Sequence, residues 1–144
     1  MVAALKYSPC PAQTKESFPR AANTSVPTSY QKGVDAEKHV AFFLERHGYD
    51  VLCKRYKTSV GEIDIVAFKD NILHIVEVKN RKLLHQARVA ISEKQKARLA
   101  QAAELFLAES AQNLAIEGVQ MDAVFVAGTT IYHLERAWDP VDSF

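Results

Sequence analysis

Gly61-Glu62-Ile63-Asp64-Ile65-Val66-Ala67-Phe68 and Ile72-Leu73-His74-Ile75-Val76-Glu77-Val78-Lys79, separated by Lys69-Asp70-Asn71, decide how this chain folds. β-branched and aromatic residues dominate both runs, and Asp-Asn tolerates the backbone of a tight two-residue turn, so residues 62–68 and 72–79 read as a hairpin. With Asp70 and Asn71 as the turn, Val66 faces Ile75 and Phe68 faces Leu73. Asp64 then falls opposite Glu77, and Glu62 opposite Lys79. Strand side chains alternate, so Glu62, Asp64, Glu77 and Lys79 share one face. The other face, with Ile63, Ile65, Ala67, Val76 and Val78, is core, and His74 on it is structural.

Upstream, Val34, Val40, Ala41, Phe43 and Leu44 recur at helical spacing. Thr28 with Gln31 resembles a capping box, and His47-Gly48 supplies a stop, giving a helix over about 30–47. Residues 50–57 read as a strand. Downstream, Ser92 with Gln95 makes a second capping box before a helix over 93–110, striped by Leu99, Ala102, Ala103 and Phe106. Residues 119–127 and 131–134 form a second hairpin turning at Gly128-Thr129. The expected order is αβββαββ, an α/β fold with a mixed sheet flanked by helices. Residues 1–28 hold four of the five prolines and no apolar period, and read as a flexible extension to a single domain over 29–139.

Composition narrows the function classes. The chain has 144 residues, 48% hydrophobic and 24% charged, with a net charge of +1, enough for one buried core. Its longest uncharged stretch, Ala123 to Leu134, is far short of a membrane span, and no secretory signal is evident. A cytoplasmic protein without membrane contact is expected. Cys10 and Cys53 suggest neither a disulfide framework nor a metal pair, and the five histidines lack zinc-ligand spacing. Nucleotide loops and serine-nucleophile motifs are absent.

Like charges directly opposed across a hairpin repel, at a cost of a few tenths to about 1 kcal/mol. A divalent cation would compensate Asp64 and Glu77, and Lys79 beside them would steady a developing negative charge. A solvated salt-bridge ladder is the other reading of the same face. Glu37 sits on the apolar stripe of the first helix, either snorkelling to water or as a third acid reaching the site. Basic residues also cluster: Lys79, Arg81, Lys82, Arg88, Lys94, Lys96 and Arg98 stand against Glu93 alone between positions 79 and 98. Such a segment, entering a helix N-terminus, suits a polyanion.

These residues carry a resemblance. Lys32-Gly33 with Ala36-Glu37, the string Gly61-Glu62-Ile63-Asp64-Ile65-Val66-Ala67, and Val76-Glu77-Val78-Lys79-Asn80-Arg81 look like the YraN-like family of bacterial proteins. Ser92-Glu93-Lys94-Gln95, Met121-Asp122-Ala123-Val124 and Tyr132-His133-Leu134-Glu135 fit the same pattern. That family is expected to comprise endonucleases similar to archaeal Holliday junction resolvases, within the PD-(D/E)XK nuclease superfamily. The resemblance implies a restriction-endonuclease-like core and a Mg²⁺- or Mn²⁺-dependent endonuclease acting on DNA, and it suggests a homodimer. It makes Asp64 and Glu77 metal ligands, Glu37 an assisting acid and Lys79 the residue that orients the attacking water. Ile63 stands where many members of the superfamily have proline. Glu62 is expected to partner Lys79, and Asp122 to make a structural hydrogen bond. Arg81, Lys82, Arg88, Lys94, Gln95 and Lys96 are the expected nucleic-acid contacts, with Gln95 expected to touch either the site or a phosphate. A nucleic-acid-binding module acting with a partner is the alternative function.

Overall fold

The computed structural model describes residues 29–80 and 91–139. The expected extension, Thr28, Arg81, Lys82 and Arg88 lie outside the described residues. The element order is α1 (Ser29–Arg46), β1 (Asp50–Lys57), β2 (Glu62–Lys69), β3 (Ile72–Asn80), α2 (Glu93–Ser110), β4 (Gly118–Ala127) and β5 (Thr130–Trp138). The αβββαββ order and the mixed, helix-flanked sheet are those expected.

Local chemistry sets each boundary. Gly48, at φ 85°, ends α1: Tyr49 N–H reaches Leu44 O at 3.0 Å and Gly48 N–H reaches Glu45 O at 3.2 Å, the paired bonds of a Schellman motif. Asp70 and Asn71 both adopt positive φ, 51° and 63°, as a type I′ hairpin turn requires. The turn fixes the register, with Lys69 opposite Ile72, Phe68 opposite Leu73 and Val66 opposite Ile75. Ser92 Oγ accepts from Gln95 N–H at 3.2 Å and caps α2. Only this half of the capping box forms, because the Gln95 side chain is used elsewhere.

The five strands lie in sequence order, β1-β2-β3-β4-β5. Only β3 and β4 are parallel, since α2 carries the chain between them and the other connections are short. α1 packs Ala36, Val40, Ala41 and Leu44 on one sheet face, against Ile65, Ala67, Val76 and Val124. α2 packs Leu99, Ala102, Ala103 and Phe106 on the other, against Val66, Leu73 and Ile75. Both faces of the central strands are therefore core. Fully burying each large side chain, such as Leu44 or Phe106, contributes about 1.5–3 kcal/mol.

Two expectations need correction. Ile63 does not pack with Ile65 and Ala67 under α1 but with Tyr56 and Phe106 in the α2-side cluster. Strict alternation breaks at Asp64, across from Arg55, which adopts φ 55°. The second correction concerns Cys53, which is buried and disulfide-bonded. Among the described residues no helix is long and apolar enough to cross a membrane.

Candidate functional site

β2 and β3 are paired from the turn only as far as Ile65 opposite Val76. Beyond that point the ladder stops, although both strands continue. Asp64 is the reason: its Oδ2 accepts from Val78 N–H at 2.8 Å, taking a donor that would otherwise face the neighbouring strand. The opening in the ladder is where the acidic residues gather.

On the α2 side stands Glu77, 5% exposed. Its Oε1 accepts from Gln95 Nε2 at 2.6 Å and lies 3.3 Å from Lys79 Nζ. Lys79 Nζ also donates to Gln95 Oε1 at 3.4 Å, so Glu77, Lys79 and Gln95 close a triangle. On the α1 side, Glu37, Glu62 and Asp64 each offer a carboxylate oxygen, all within 4.8 Å of one another. Glu37 thus does reach the strand carboxylates from the helix. Asp64 stands between the two groups, since it is also hydrogen-bonded to Glu77.

Electrostatics make the place costly. Burial raises the Asp64 carboxyl, against the hydrogen bonds from Val78 and Glu77 that favour its ionised form. Burial, and then the Asp64 charge, push Glu77 up to about 8, so near neutrality Glu77 keeps its proton and shares it with Asp64. A carboxyl whose folded pKa lies above its unfolded one adds stability at low pH. That contribution is lost as pH rises from the ordinary carboxylate range through about 8. Thermal melts of the metal-free protein from pH 6 to 9 should show this fall, and Glu77→Gln should flatten it; an unchanged slope in the variant would refute the assignment.

Several expected partners are rearranged. Glu62 does not pair with Lys79; it lies 3.4 Å from Arg55 Nε, because the ladder that would have brought it opposite Lys79 ends first. Of the two contacts expected of Gln95, the site and a phosphate, its side chain makes the first. Lys94 is exposed on the first turn of α2, while Lys96 pairs with Glu93 at 2.9 Å. Arg55, which the sequence did not single out, bridges Glu37 and Glu62. No local signal marks it, since a left-handed arginine inside a strand has no sequence signature.

A second polar cluster lies under α1. Asp122, 0% exposed, accepts from His74 Nδ1 at 2.8 Å, His133 Nε2 at 2.9 Å, Gln120 Nε2 at 2.9 Å and Arg136 N–H at 3.1 Å. Its partners satisfy both oxygens, which makes it a structural hub.

Fold and site together define a small α/β domain with a partly buried carboxylate cluster and a lysine where its central strands part. The chain belongs to UPF0102, described as an uncharacterised protein family, whose model matches residues 36–126. That span contains Glu37, Arg55, Asp64, Glu77, Lys79, Gln95 and Asp122. A UPF0102 protein of Rhodopseudomonas palustris strain CGA009 is 38% identical over 112 residues, covering 77% of this chain and 85% of the relative. One of Bradyrhizobium diazoefficiens is 35% identical over 122 residues, covering 84% and 91%.

Proposed function

We propose that this chain is a divalent-metal-dependent endonuclease of the PD-(D/E)XK kind, hydrolysing phosphodiester bonds in DNA. The observation that supports it most is the convergence of Asp64, Glu77 and Lys79 where β2 and β3 part, with Glu37 arriving from α1. A purely structural site gains nothing from this arrangement, because replacing buried like charges by apolar groups is commonly stabilising.

The donors are all carboxylate oxygens, a hard set that fits Mg²⁺ or Mn²⁺ and not a thiolate- or imidazole-bound ion. Asp64 and Glu77 would hold the ion, with Glu37 assisting and Glu62 within reach. When bound, the ion would polarise a phosphoryl oxygen and acidify a water. Lys79 is held by Glu77 and Gln95, and in this reading its ammonium would orient the attacking water and steady negative charge as it develops. Gln95 fixes both partners at once. Lys94 and Arg98, exposed on α2, would meet a phosphate backbone, a contact that supplies affinity without sequence preference. A second copy of the chain and a cytoplasmic site of action belong to the same reading.

Calorimetric titration of the full chain with Mg²⁺ or Mn²⁺, run beside cutting assays on branched, flapped and single-stranded DNA, tests the proposal. Because Glu77 is protonated near pH 7, binding should release on the order of one proton per ion, measured by repeating the titration in buffers of different ionisation heat. Metal-dependent cutting with proton release is the expected result. The absence of both metal binding at millimolar concentration and cutting would sink it.

A further inference from the structure

Arg55 is a basic side chain drawn into the three-carboxylate group, and its backbone is bent to get there. β1 and β2 keep a constant register through this region, with Lys54 opposite Ile65 and Tyr56 opposite Ile63. Arg55 therefore lies directly across from Asp64. At that position it adopts φ 55°, a left-handed conformation that disfavours a residue with a Cβ. Strain of this kind persists only where surrounding contacts hold it, and it concentrates at functional sites.

The contacts are specific. Arg55 Nε lies 3.6 Å from Glu37 Oε2 and 3.4 Å from Glu62 Oε1, so one nitrogen serves two carboxylates from different elements. Nη1 donates to Tyr30 OH at 2.9 Å, and the guanidinium carbon sits 4.8 Å from the centre of the Tyr30 ring. Tyr30 is 64% exposed, so the outer end of Arg55 is held at the mouth of the site while Nε reaches inward. A guanidinium on two carboxylates occupies the electrostatic position that a cation bound by them would take.

We propose that Arg55 is the resident counter-cation of the Glu37–Glu62–Asp64 group, and that a divalent ion held by Asp64 and Glu77 must displace its Nε from Glu37 and Glu62 to recruit those two carboxylates. This rests on the reading of the cluster as a divalent-cation site. In the metal-free protein Arg55 neutralises two of the three carboxylates and keeps them gathered. On metal binding it gives up both and remains on Tyr30, its charge free at the mouth where a phosphate would enter. Its presence weakens metal affinity, so that a second ligand able to take the guanidinium favours loading.

The test is Mn²⁺ titration of the full chain, wild type against Arg55→Asn. Asparagine tolerates the left-handed backbone and carries no charge. The variant should bind Mn²⁺ roughly five- to tenfold more tightly. Its metal-free form should melt at lower temperature than wild type and gain more on Mn²⁺ addition. If wild type binds Mn²⁺ and the variant binds it equally or less tightly, the exchange is wrong and the nuclease reading stands. If neither binds, both fall. A measurement on wild type alone guards against a variant that fails to fold: the Arg55 Nε–H resonance should shift on saturation with diamagnetic Mg²⁺, and a resonance that does not move overturns the exchange.

Discussion

Asp64→Asn is expected to abolish metal-dependent cutting and weaken divalent-ion binding at least tenfold, while leaving the metal-free fold as stable as wild type or more so. The two halves of this result follow from different atoms of one side chain. The Asn carbonyl oxygen can still accept from Val78 N–H, the 2.8 Å bond that replaces the missing ladder pairing, so the strands stay parted as before. The charge disappears, and with it the repulsion among Glu37, Glu62 and Asp64 and the cost of burying an anion beside Glu77. Glu77, no longer facing an ionised neighbour, should titrate closer to the ordinary carboxylate range. Activity should fall by roughly a thousandfold or more, about 4 kcal/mol of lost transition-state stabilisation. Urea unfolding and cutting rates of the same preparation decide it. A variant that is less stable yet binds metal normally would make Asp64 a structural strand-end acceptor, and the site would lose its chemical basis.

What the sequence made legible follows a physical pattern. Features written in local backbone chemistry were readable: Asp70-Asn71 as a turn of two positive-φ residues, Gly48 as the end of α1, Ser92 as the cap of α2. Features that depend on where a ladder stops were not. Opposing Glu62 to Lys79 assumed that β2 and β3 pair to their ends. Once Asp64 takes the Val78 N–H, that assumption fails, and Lys79 is left to Glu77 and Gln95. The odd position of Glu37 on an apolar stripe was the better guide, because an acid there must find something polar to face. Gln95 illustrates the limit of a motif: its backbone obeys the capping box, whereas its side chain obeys the acid site. Arg55 shows no trace in sequence, since its role comes from a backbone reversal that tertiary contacts impose.

Asp122, expected to make a structural hydrogen bond, accepts four, and removing it is expected to have a large effect on stability. β4 and β5 slip register between Met121 and Ala123, and Arg136 adopts φ 51° there, leaving its N–H directed at Asp122 Oδ1. Oδ2 meanwhile takes both imidazoles, and because an ionised aspartate only accepts, His74 Nδ1 and His133 Nε2 must each present a proton. One side chain therefore ties β3, β4 and β5 together beneath Tyr49, whose ring lies 4.9 Å from that of His74. Asp122→Ala strands these donors in the core and should cost about 3–5 kcal/mol, a large part of the 5–15 kcal/mol usual for a domain. Asp122→Asn keeps one acceptor but turns an amide N–H₂ toward N–H groups, and should cost about half as much. Burial alone would raise Asp122, yet the hydrogen bonds from His133 and His74, then Gln120 and Arg136, hold it well below the usual carboxylate range. A depressed folded pKa contributes stability above the unfolded value, near 3.9, and loses it as pH falls below that point. Wild type should lose stability on acidification through this range, and Asp122→Asn should lose less of it. Urea unfolding at pH 7 and pH 3 measures both effects, and a cost under about 1 kcal/mol for Asp122→Ala at pH 7 would show that the hub does not hold the strands.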